Sequence, residues 1–185
     1  MPFLSPEGHL FRNRFKMEHN PQESINPVFL GIGSNIGDRT GYLEEAIRLL
    51  QDRGFLLEKA SQVYETPPWG LKEQPAFLNQ VLQGTFQGTP YELLKSNMQI
   101  EEDCGRVRLE HWGPRVIDID ILAMGQYMIH SQRLTIPHPH FHTRAFVLVP
   151  WAEIAPAFVP PGTGECIQDL LGKLPAKEIE EITVL

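Results

Sequence analysis

The order of strand-like and helix-like segments constrains the fold of this chain more than any other feature of its sequence. Residues 28–32 are apolar on both faces, which is typical of a central buried strand, and Gly33-Ser34-Asn35 ends the pattern. Between Asp38, which can cap a helix, and Gly54, which can stop one, apolar residues recur at helical spacing. The first segments therefore predict a strand followed by a helix.

Four more segments complete the order. Residues 55–65 and 77–86 are predicted as strands, and the Pro-rich stretch between them cannot pair regularly. Thr89-Pro90-Tyr91-Glu92 combines a Thr cap, a Pro at the first helical position and a Glu that closes a capping box, so a helix is predicted from there to Gly105. Residues 116–122 alternate between two faces and are predicted as the fourth strand.

This β-α-β-β-α-β order predicts a ferredoxin-like α+β sandwich, in which helices pack on one face of an antiparallel sheet and the other face stays free for ligands. A His-rich loop at residues 130–145 and a short helix near residues 166–173 are expected to extend that open side. We expect residues 1–26 to be a flexible N-terminal extension, residues 27–175 to be the folded domain and residues 176–185 to be a C-terminal tail.

The charge balance restricts the ligands of such a chain. Sixteen Lys and Arg residues against 23 Asp and Glu residues give a net charge of −7, which disfavours nucleic acid. No apolar run reaches the roughly 18 residues of a membrane-spanning helix, and the N-terminus lacks a secretory signal, so we expect a cytoplasmic protein without a membrane partner. Five of the ten arginines and five of the seven histidines nevertheless lie between positions 106 and 144. This concentration indicates a local anion site.

Asp118 and Asp120 lie two apart in the predicted fourth strand, so both carboxylates project from one face, roughly 6.5–7 Å apart along the chain. Hard oxygen ligands at this spacing suit one or two hydrated Mg²⁺ ions that also coordinate nucleotide phosphates. The alternative is a solvated strand face with two exposed acids, which is the commoner explanation for an isolated pair. The cations immediately upstream favour the metal interpretation.

Those cations are Arg106, Arg108, His111 and Arg115, which fall within ten residues. Guanidinium groups bind phosphate oxygens bidentately, so the segment predicts a polyphosphate site. Salt bridges with nearby acids are the alternative, and we expect them to account for part of the cluster. The acids at 101–103, however, close a helix whose dipole disfavours each negative charge by roughly 0.3–1 kcal/mol, which indicates a function for them.

A site for a planar heterocycle is predicted in the third strand. Phe77 and Asn79 share one face and offer a stacking plane and an amide with both donor and acceptor atoms. The carbonyl groups of Thr66-Pro67-Pro68 lack regular partners and can contact the edge of a ring. Taken singly, Phe77 is explained better as a core residue and Pro67-Pro68 as a turn, so the prediction depends on their combination.

Three alternating histidines, His138, His140 and His142, raise the question of zinc. We do not expect a structural zinc ion, because no cysteine or further cluster completes a ligand shell, and imidazoles beside phosphate-binding residues are an adequate alternative.

Taken together, these motifs resemble those of the 6-hydroxymethyl-7,8-dihydropterin pyrophosphokinases of folate biosynthesis, over about residues 27–172. The block at 111–122 resembles the signature of that family and is highly specific. The motifs that carry the resemblance are Gly33-Ser34-Asn35, Thr66-Pro67-Pro68, Gln74-Pro75-Ala76-Phe77-Leu78-Asn79, Gly105-Arg106-Val107-Arg108, the block from His111 to Leu122, Arg133-Leu134-Thr135-Ile136-Pro137-His138 and Arg144-Ala145-Phe146.

The resemblance implies a reaction in which the hydroxymethyl oxygen of the pterin attacks the β-phosphorus of ATP and AMP leaves. It implies Asp118 and Asp120 as ligands of two Mg²⁺ ions. The catalytic residues that it implies besides these are Arg106, Arg108 and Arg115. The pterin contacts that it implies are Thr66, Pro67, Pro68, Trp69, Phe77, Asn79, Trp112 and Phe146. The ATP contacts that it implies are Glu101, Arg108, His111, Arg115, Ile121, Arg133, Thr135, His138 and Arg144.

Two other functions stay open at this point. The first is a ferredoxin-like module that binds RNA through aromatic residues, which the net charge and the lack of an RNP-type motif disfavour. The second is a metal-dependent phosphohydrolase with the same aspartate pair, which would release phosphate from ATP without a pterin. For the pyrophosphokinase we expect ATP and hydroxymethyl-dihydropterin as small-molecule substrates, no nucleic acid and a monomeric enzyme.

Overall fold

The computed structural model describes residues 26–68, 73–106 and 115–185. The first seven elements are β1 (Val28–Ser34), α1 (Arg39–Asp52), β2 (Phe55–Ala60), β3 (Tyr64–Thr66), β4 (Phe77–Phe86), α2 (Pro90–Asp103) and β5 (Asp118–Met124). They are followed by β6 (Ile129–His130), β7 (Thr135–Ile136), a 3-10 turn (Phe141–Thr143), α3 (Ala145–Ile154), α4 (Ile167–Leu171), α5 (Ala176–Glu180) and β8 (Thr183–Val184).

The main sheet has β1 and β4 at its centre, and every pair of neighbouring strands in it is antiparallel. β5 pairs with β1 on one side, while both β2 and β3 pair with β4 on the other, and β8 pairs with β3 at the edge. This order is that of the ferredoxin-like α+β sandwich predicted from the sequence. The segment predicted as a C-terminal tail contributes α5 and β8, and the Leu185 N–H donates to the Val63 carbonyl.

The predicted strand at residues 55–65 is interrupted, so that prediction is wrong in part. Ser61 lies between β2 and β3, and its hydroxyl accepts the N–H of Val81 at 3.0 Å. A register shift also occurs between Leu57 and Lys59. The strand is broken into two because the Ser61 side chain takes the place of a main-chain hydrogen bond and because the register shift forms a bulge.

Side chains of β1 alternate between two cores, as expected for a strand buried on both faces. Val28, Leu30 and Ile32 belong to a core cluster with residues of α1 and α2. Phe29 belongs to a second core on the opposite face, with residues of α3 and α4, and its ring centroid lies 5.1 Å from that of the fully buried Trp151. The sheet is therefore covered on both faces along part of its length.

This second core corrects the expectation that one face of the sheet stays free for ligands. α3 and α4 cover the part of that face around Phe29 and Val81, and only the part beyond them stays accessible. The sequence did not predict α3, which has no side-chain cap at Arg144 and contains Pro150. The start of α3 therefore lacks the usual capping residue, and the proline within it argues against a helix.

The start of α2 carries the capping box that the sequence predicts. The Thr89 hydroxyl accepts the Glu92 N–H at 3.2 Å, and the Glu92 carboxylate accepts the Thr89 N–H at 2.7 Å. Replacing Thr89 with Ala is expected to lower the free energy of unfolding by about 1 kcal/mol. The Glu92 N–H loses its acceptor, and the Glu92 carboxylate loses the Thr89 hydroxyl that helps to hold it in place. Urea unfolding measures this change. Stability equal to that of the wild type would show that the box contributes nothing.

No helix within the described ranges is long and apolar enough to cross a membrane, and the longest of them, α1 and α2, have 14 residues each.

Candidate active site

The candidate site lies on the second face of the sheet, above two glycines of β1. Gly31 and Gly33 pair with Asp120 and Asp118 on β5, and Gly33 pairs with Asn79 on β4. Directly paired residues point to the same face, so the aspartates and Asn79 flank a strip without side chains. Since neighbouring strands lie about 4.8 Å apart, the backbones of Asp118 and Asn79 are separated by about 10 Å. Gly31 and Gly33, called the glycine strip below, form part of the floor of a cleft.

The cleft has a volume of about 1560 Å³. Described residues from both predicted subsites line it, including Phe77, Phe146, Arg133 and His138. A cleft of this size can hold two small molecules at once, since a single ligand site typically occupies about 300–1,000 Å³.

Asp118 is bound by two arginines. Nη1 of Arg106 donates to one carboxylate oxygen at 2.6 Å, and Nη1 of Arg115 donates to the other oxygen at 2.6 Å. The structure therefore brings together three residues of the predicted polyphosphate site. Burial opposes the charge of Arg106, but Asp118 and Glu101 raise its pKa above the usual value, so this guanidinium stays protonated.

Asp120 lies two residues further along the same face. Its carboxylate is 3.9 Å from Nε2 of His138. Burial, followed by the charges of Arg144 and His140, lowers the pKa of His138 to about 4, so its imidazole is neutral at physiological pH. Burial also lowers the pKa of Arg144, although Asp120 and Asp118 oppose this change. Asp120 thus faces a neutral imidazole at close range and keeps 44% of its side chain exposed to the cleft.

The predicted heterocycle subsite begins where β3 meets β4. Thr66 pairs with Phe77 in the sheet, and the Thr66 hydroxyl accepts a hydrogen bond from Nδ2 of Asn79 at 2.7 Å. This bond occupies one amide hydrogen of Asn79 and leaves its carbonyl oxygen directed over Gly33. The Arg144 guanidinium lies 5.5 Å from the ring centre of Phe146. Pro67 and Pro68 follow β3 directly, as expected from the sequence.

The absence of a side chain at Gly33 gives a testable consequence. A Cβ atom there would lie 2.7 Å from Oδ1 of Asn79, whereas a Cβ atom at Gly31 would meet only the end of Leu122, at 3.4 Å. Replacing Gly33 with Ala is expected to displace the Asn79 amide and to raise the KM for a heterocyclic substrate of this subsite about tenfold, roughly the loss of one buried hydrogen bond. Steady-state kinetics measure this change. The Gly31→Ala variant is the matched comparison, and an effect as large or larger there would contradict the steric reason.

Asn35 was predicted from the sequence as part of the segment that ends β1 and as part of a family motif, without a role of its own. Its side-chain oxygen accepts the N–H of Arg115 at 2.8 Å, and its amide nitrogen donates to Gln74 Oε1 at 3.2 Å and to the Pro75 carbonyl at 3.3 Å. It therefore joins the segment before β4 to the segment before β5. An amide directly after a buried strand was the available signal, because only an Asn or Gln both donates and accepts in this way.

Two residues implied as ATP contacts have other surroundings. The Ile121 side chain is 5% exposed and belongs to the core with α1 and α2, so only its main chain faces the cleft side. Glu101 is also 5% exposed and binds Arg106 and β5. Arg133 is exposed, and Thr135 is half-buried in β7. Four predicted site residues lie outside the described residues: Trp69, Arg108, His111 and Trp112.

In the described part of the chain, no group of three or more His, Cys, Asp or Glu side chains is arranged to hold a metal ion. Asp118 and Asp120 provide two carboxylates on one face beside the open cleft, a donor set that fits a hard cation completed by water or by ligand oxygens.

The fold and the cleft define a ferredoxin-like α+β protein with a two-part small-molecule site, acidic and basic at one end and aromatic at the other. Residues 29–156 match the family model described as 7,8-dihydro-6-hydroxymethylpterin-pyrophosphokinase (HPPK). The chain belongs to this family, which confirms the resemblance noted from its motifs.

Sequence relatives carry the corresponding name. The chain is 44% identical to the 2-amino-4-hydroxy-6-hydroxymethyldihydropteridine pyrophosphokinase of Methylorubrum extorquens, over 84% of this chain and 98% of that protein. It is 43% identical to the enzyme of the same name from Bacillus subtilis, over 70% of this chain and 78% of that protein.

Solved structures confirm the ferredoxin-like fold. The wild-type HPPK-DHPS of Plasmodium falciparum with pterin and p-hydroxybenzoate superimposes with a TM-score of 0.68, over 86% of this chain, at 17% identity. The chain spans 46% of that longer protein. At this identity the similarity establishes the architecture alone.

Proposed function

We propose that this chain transfers pyrophosphate from ATP to the hydroxymethyl group of 6-hydroxymethyl-7,8-dihydropterin and releases AMP, as a diphosphokinase of folate biosynthesis. The observation that carries the proposal is the pairing across β1. It places Asp118 and Asp120 on one side of the glycine strip and Asn79 on the other, with Phe77 on the same face of β4. Membership of the HPPK family supports the same reaction.

The pterin is assigned to the aromatic end of the cleft. Phe77 and Phe146 line that end, and each offers a ring face for a planar heterocycle. The Asn79 carbonyl is available to accept an N–H from the ring edge, since its amide is held by Thr66. The carbonyl groups of Thr66 to Pro68 provide further acceptors, with Trp69 and Trp112 as proposed neighbours.

ATP is assigned to the charged end. Arg106, Arg115 and Arg144 line it and supply permanent positive charge for the polyphosphate, together with the proposed contact Arg108. Neutral His138 can donate a hydrogen bond from Nε2 without adding charge, because its Nδ1 accepts the His140 N–H at 3.2 Å. The remaining proposed nucleotide contacts are His111, Arg133, Thr135 and the main chain of Ile121.

We propose Asp118 and Asp120 as the ligands of two Mg²⁺ ions. When bound there, Mg²⁺ would neutralise charge on the phosphates and lower the barrier to attack at phosphorus. For Asp118 to serve as a ligand, Arg106 and Arg115 must release its oxygens, and the phosphates offer both arginines an alternative anion.

Incubation with ATP, Mg²⁺ and hydroxymethyl-dihydropterin tests the reaction. We expect AMP and the pterin pyrophosphate in equal amounts, and no AMP when either the pterin or Mg²⁺ is omitted. Release of inorganic phosphate from ATP without the pterin would support a phosphohydrolase instead.

We further propose a monomeric, cytoplasmic enzyme in which residues 27–175 form the pyrophosphokinase domain, flanked by the extension 1–26 and the tail 176–185. Sedimentation velocity measures the oligomeric state, and a dimer at micromolar concentration would contradict this assignment.

A further inference from the structure

Glu101 occupies an unfavourable place for a carboxylate. It lies in the last turn of α2, which contains no basic residue, and its side chain is only 5% exposed. The negative end of the helix dipole and the removal of water both disfavour an ionised group there. Such a carboxylate requires strong partners inside the protein.

Its partners are Arg106 and the start of β5. Glu101 Oε1 lies 2.6 Å from Nη1 of Arg106 and accepts the N–H of Ile119 at 2.9 Å, while the Glu101 carbonyl accepts the Arg106 N–H at 2.9 Å. Glu101 therefore fixes the main chain and the guanidinium of Arg106 and ties both to the residue next to Asp118.

Arg106 has a second carboxylate partner, but that partner has competing tasks. Nη1 of Arg106 donates to Asp118 at 2.6 Å, and Asp118 also accepts from Arg115. If Asp118 binds a cation, the attraction between Asp118 and Arg106 is weakened, because the cation takes the same lone pairs and repels the guanidinium. Glu101 is then the partner that can still hold Arg106 in place.

We propose that Glu101 is a positioning residue for pyrophosphoryl transfer, whose carboxylate retains Arg106 at the polyphosphate end of the cleft when Asp118 turns to a cation. The inference rests on the proposed function. It differs from the direct ATP contact implied for Glu101, since this carboxylate, although it borders the cleft, is only 5% exposed and binds Arg106 and the Ile119 N–H within the protein.

The test uses Glu101→Gln, which preserves the size of the side chain and an acceptor for the Ile119 N–H but removes the charge that holds Arg106. We expect kcat to fall at least about tenfold, the effect of losing a charge-assisted hydrogen bond, while the KM for the pterin stays within about threefold. Glu44→Gln removes the same charge from an exposed position on α1 that does not line the cleft, and it is expected to leave kcat unchanged.

A double-mutant cycle identifies the route by which Glu101 acts. In an Arg106→Ala background, Glu101→Gln should change kcat less than about threefold, because the group that it positions is gone. In an Arg106→Lys background, which keeps a cation, the substitution should still lower kcat. If Glu101→Gln lowers kcat by the same factor in the wild-type and Arg106→Ala backgrounds, the effects are additive and the inference is overturned.

A second readout does not depend on turnover. Urea unfolding in EDTA should give strongly non-additive effects of Glu101→Gln and Arg106→Ala, since the two side chains are in contact in the ligand-free protein. Additive effects there would also overturn the inference. If the wild type forms no AMP in the presence of the pterin, the proposed function fails, whereas AMP formation by the wild type combined with additive kinetics refutes only the role of Glu101.

Discussion

Replacing Asp120 with Asn is expected to lower kcat by about three orders of magnitude or more, while the protein remains folded. An amide of the same size is a much weaker ligand for the proposed cation, and without that cation the charge on the polyphosphate would stay uncompensated. Asp120 is a cleaner target than Asp118, whose loss would also release Arg106 and Arg115. Turnover is measured by AMP formation, and Glu44→Gln, at an exposed position on α1, controls for the loss of one negative charge.

The folded state of the Asp120→Asn variant can be checked by measuring how its Tm depends on pH in EDTA. Although 44% of its side chain is exposed to the cleft, the surrounding protein removes enough water from the carboxylate, together with the charge of Asp118, to raise the pKa of Asp120 to about 7. A raised pKa means that the stabilising contribution of protonated Asp120 is complete below about pH 4 and is lost as the pH rises towards 7.

Asn carries no such charge at any pH. The Tm of Asp120→Asn should therefore exceed that of the wild type by a margin that grows between pH 4 and pH 7. Turnover within tenfold of the wild type would refute the assignment of Asp120 as a metal ligand, and a variant with a lower Tm throughout would assign Asp120 a structural role.

Replacing Phe77 with Ala is expected to weaken pterin binding by about 30-fold, or about 2 kcal/mol, through lost stacking and lost apolar contact. ATP binding should change by less than about threefold, because Phe77 lies across the glycine strip from β5. Within the described ranges, neither of the two core clusters includes Phe77, and its side chain is half-buried at the cleft.

Separate titrations with the pterin and with a non-hydrolysable ATP analogue distinguish the two subsites. Phe86→Ala provides the matched control, since Phe86 ends the same strand but packs against the core with α1 and α2. That variant should lose stability and keep its pterin affinity. Equal weakening of both ligands by Phe77→Ala would show that Phe77 supports the fold instead of the pterin.

Features determined by residues close in sequence were predicted more accurately than features determined by distant contacts. Both ends of β4 at residues 77–86 were predicted correctly, and the capping box placed the start of α2 at Pro90. The aspartates were assigned to one face because strand alternation fixes side-chain direction. Each of these features depends on neighbours in sequence.

The features that were missed depend on contacts between distant segments. Ser61 interrupts a strand through a bond to Val81, 20 residues away. Asn35 joins Pro75 and Arg115, which are 40 and 80 residues away. Spacing rules cannot reveal such partners, because they become neighbours only when the sheet has formed.

The glycine strip on β1 also limits how this enzyme can be stabilised. Glycine weakens a strand, by roughly 0.5–1 kcal/mol relative to alanine, and β-branched residues are favoured at such central positions. Engineering guided by stability alone would therefore target Gly31 and Gly33, where the chain keeps the space between its two subsites. A selection for thermal resistance that does not also require folate synthesis should favour side chains larger than alanine at these positions, at the expense of the space between the two subsites.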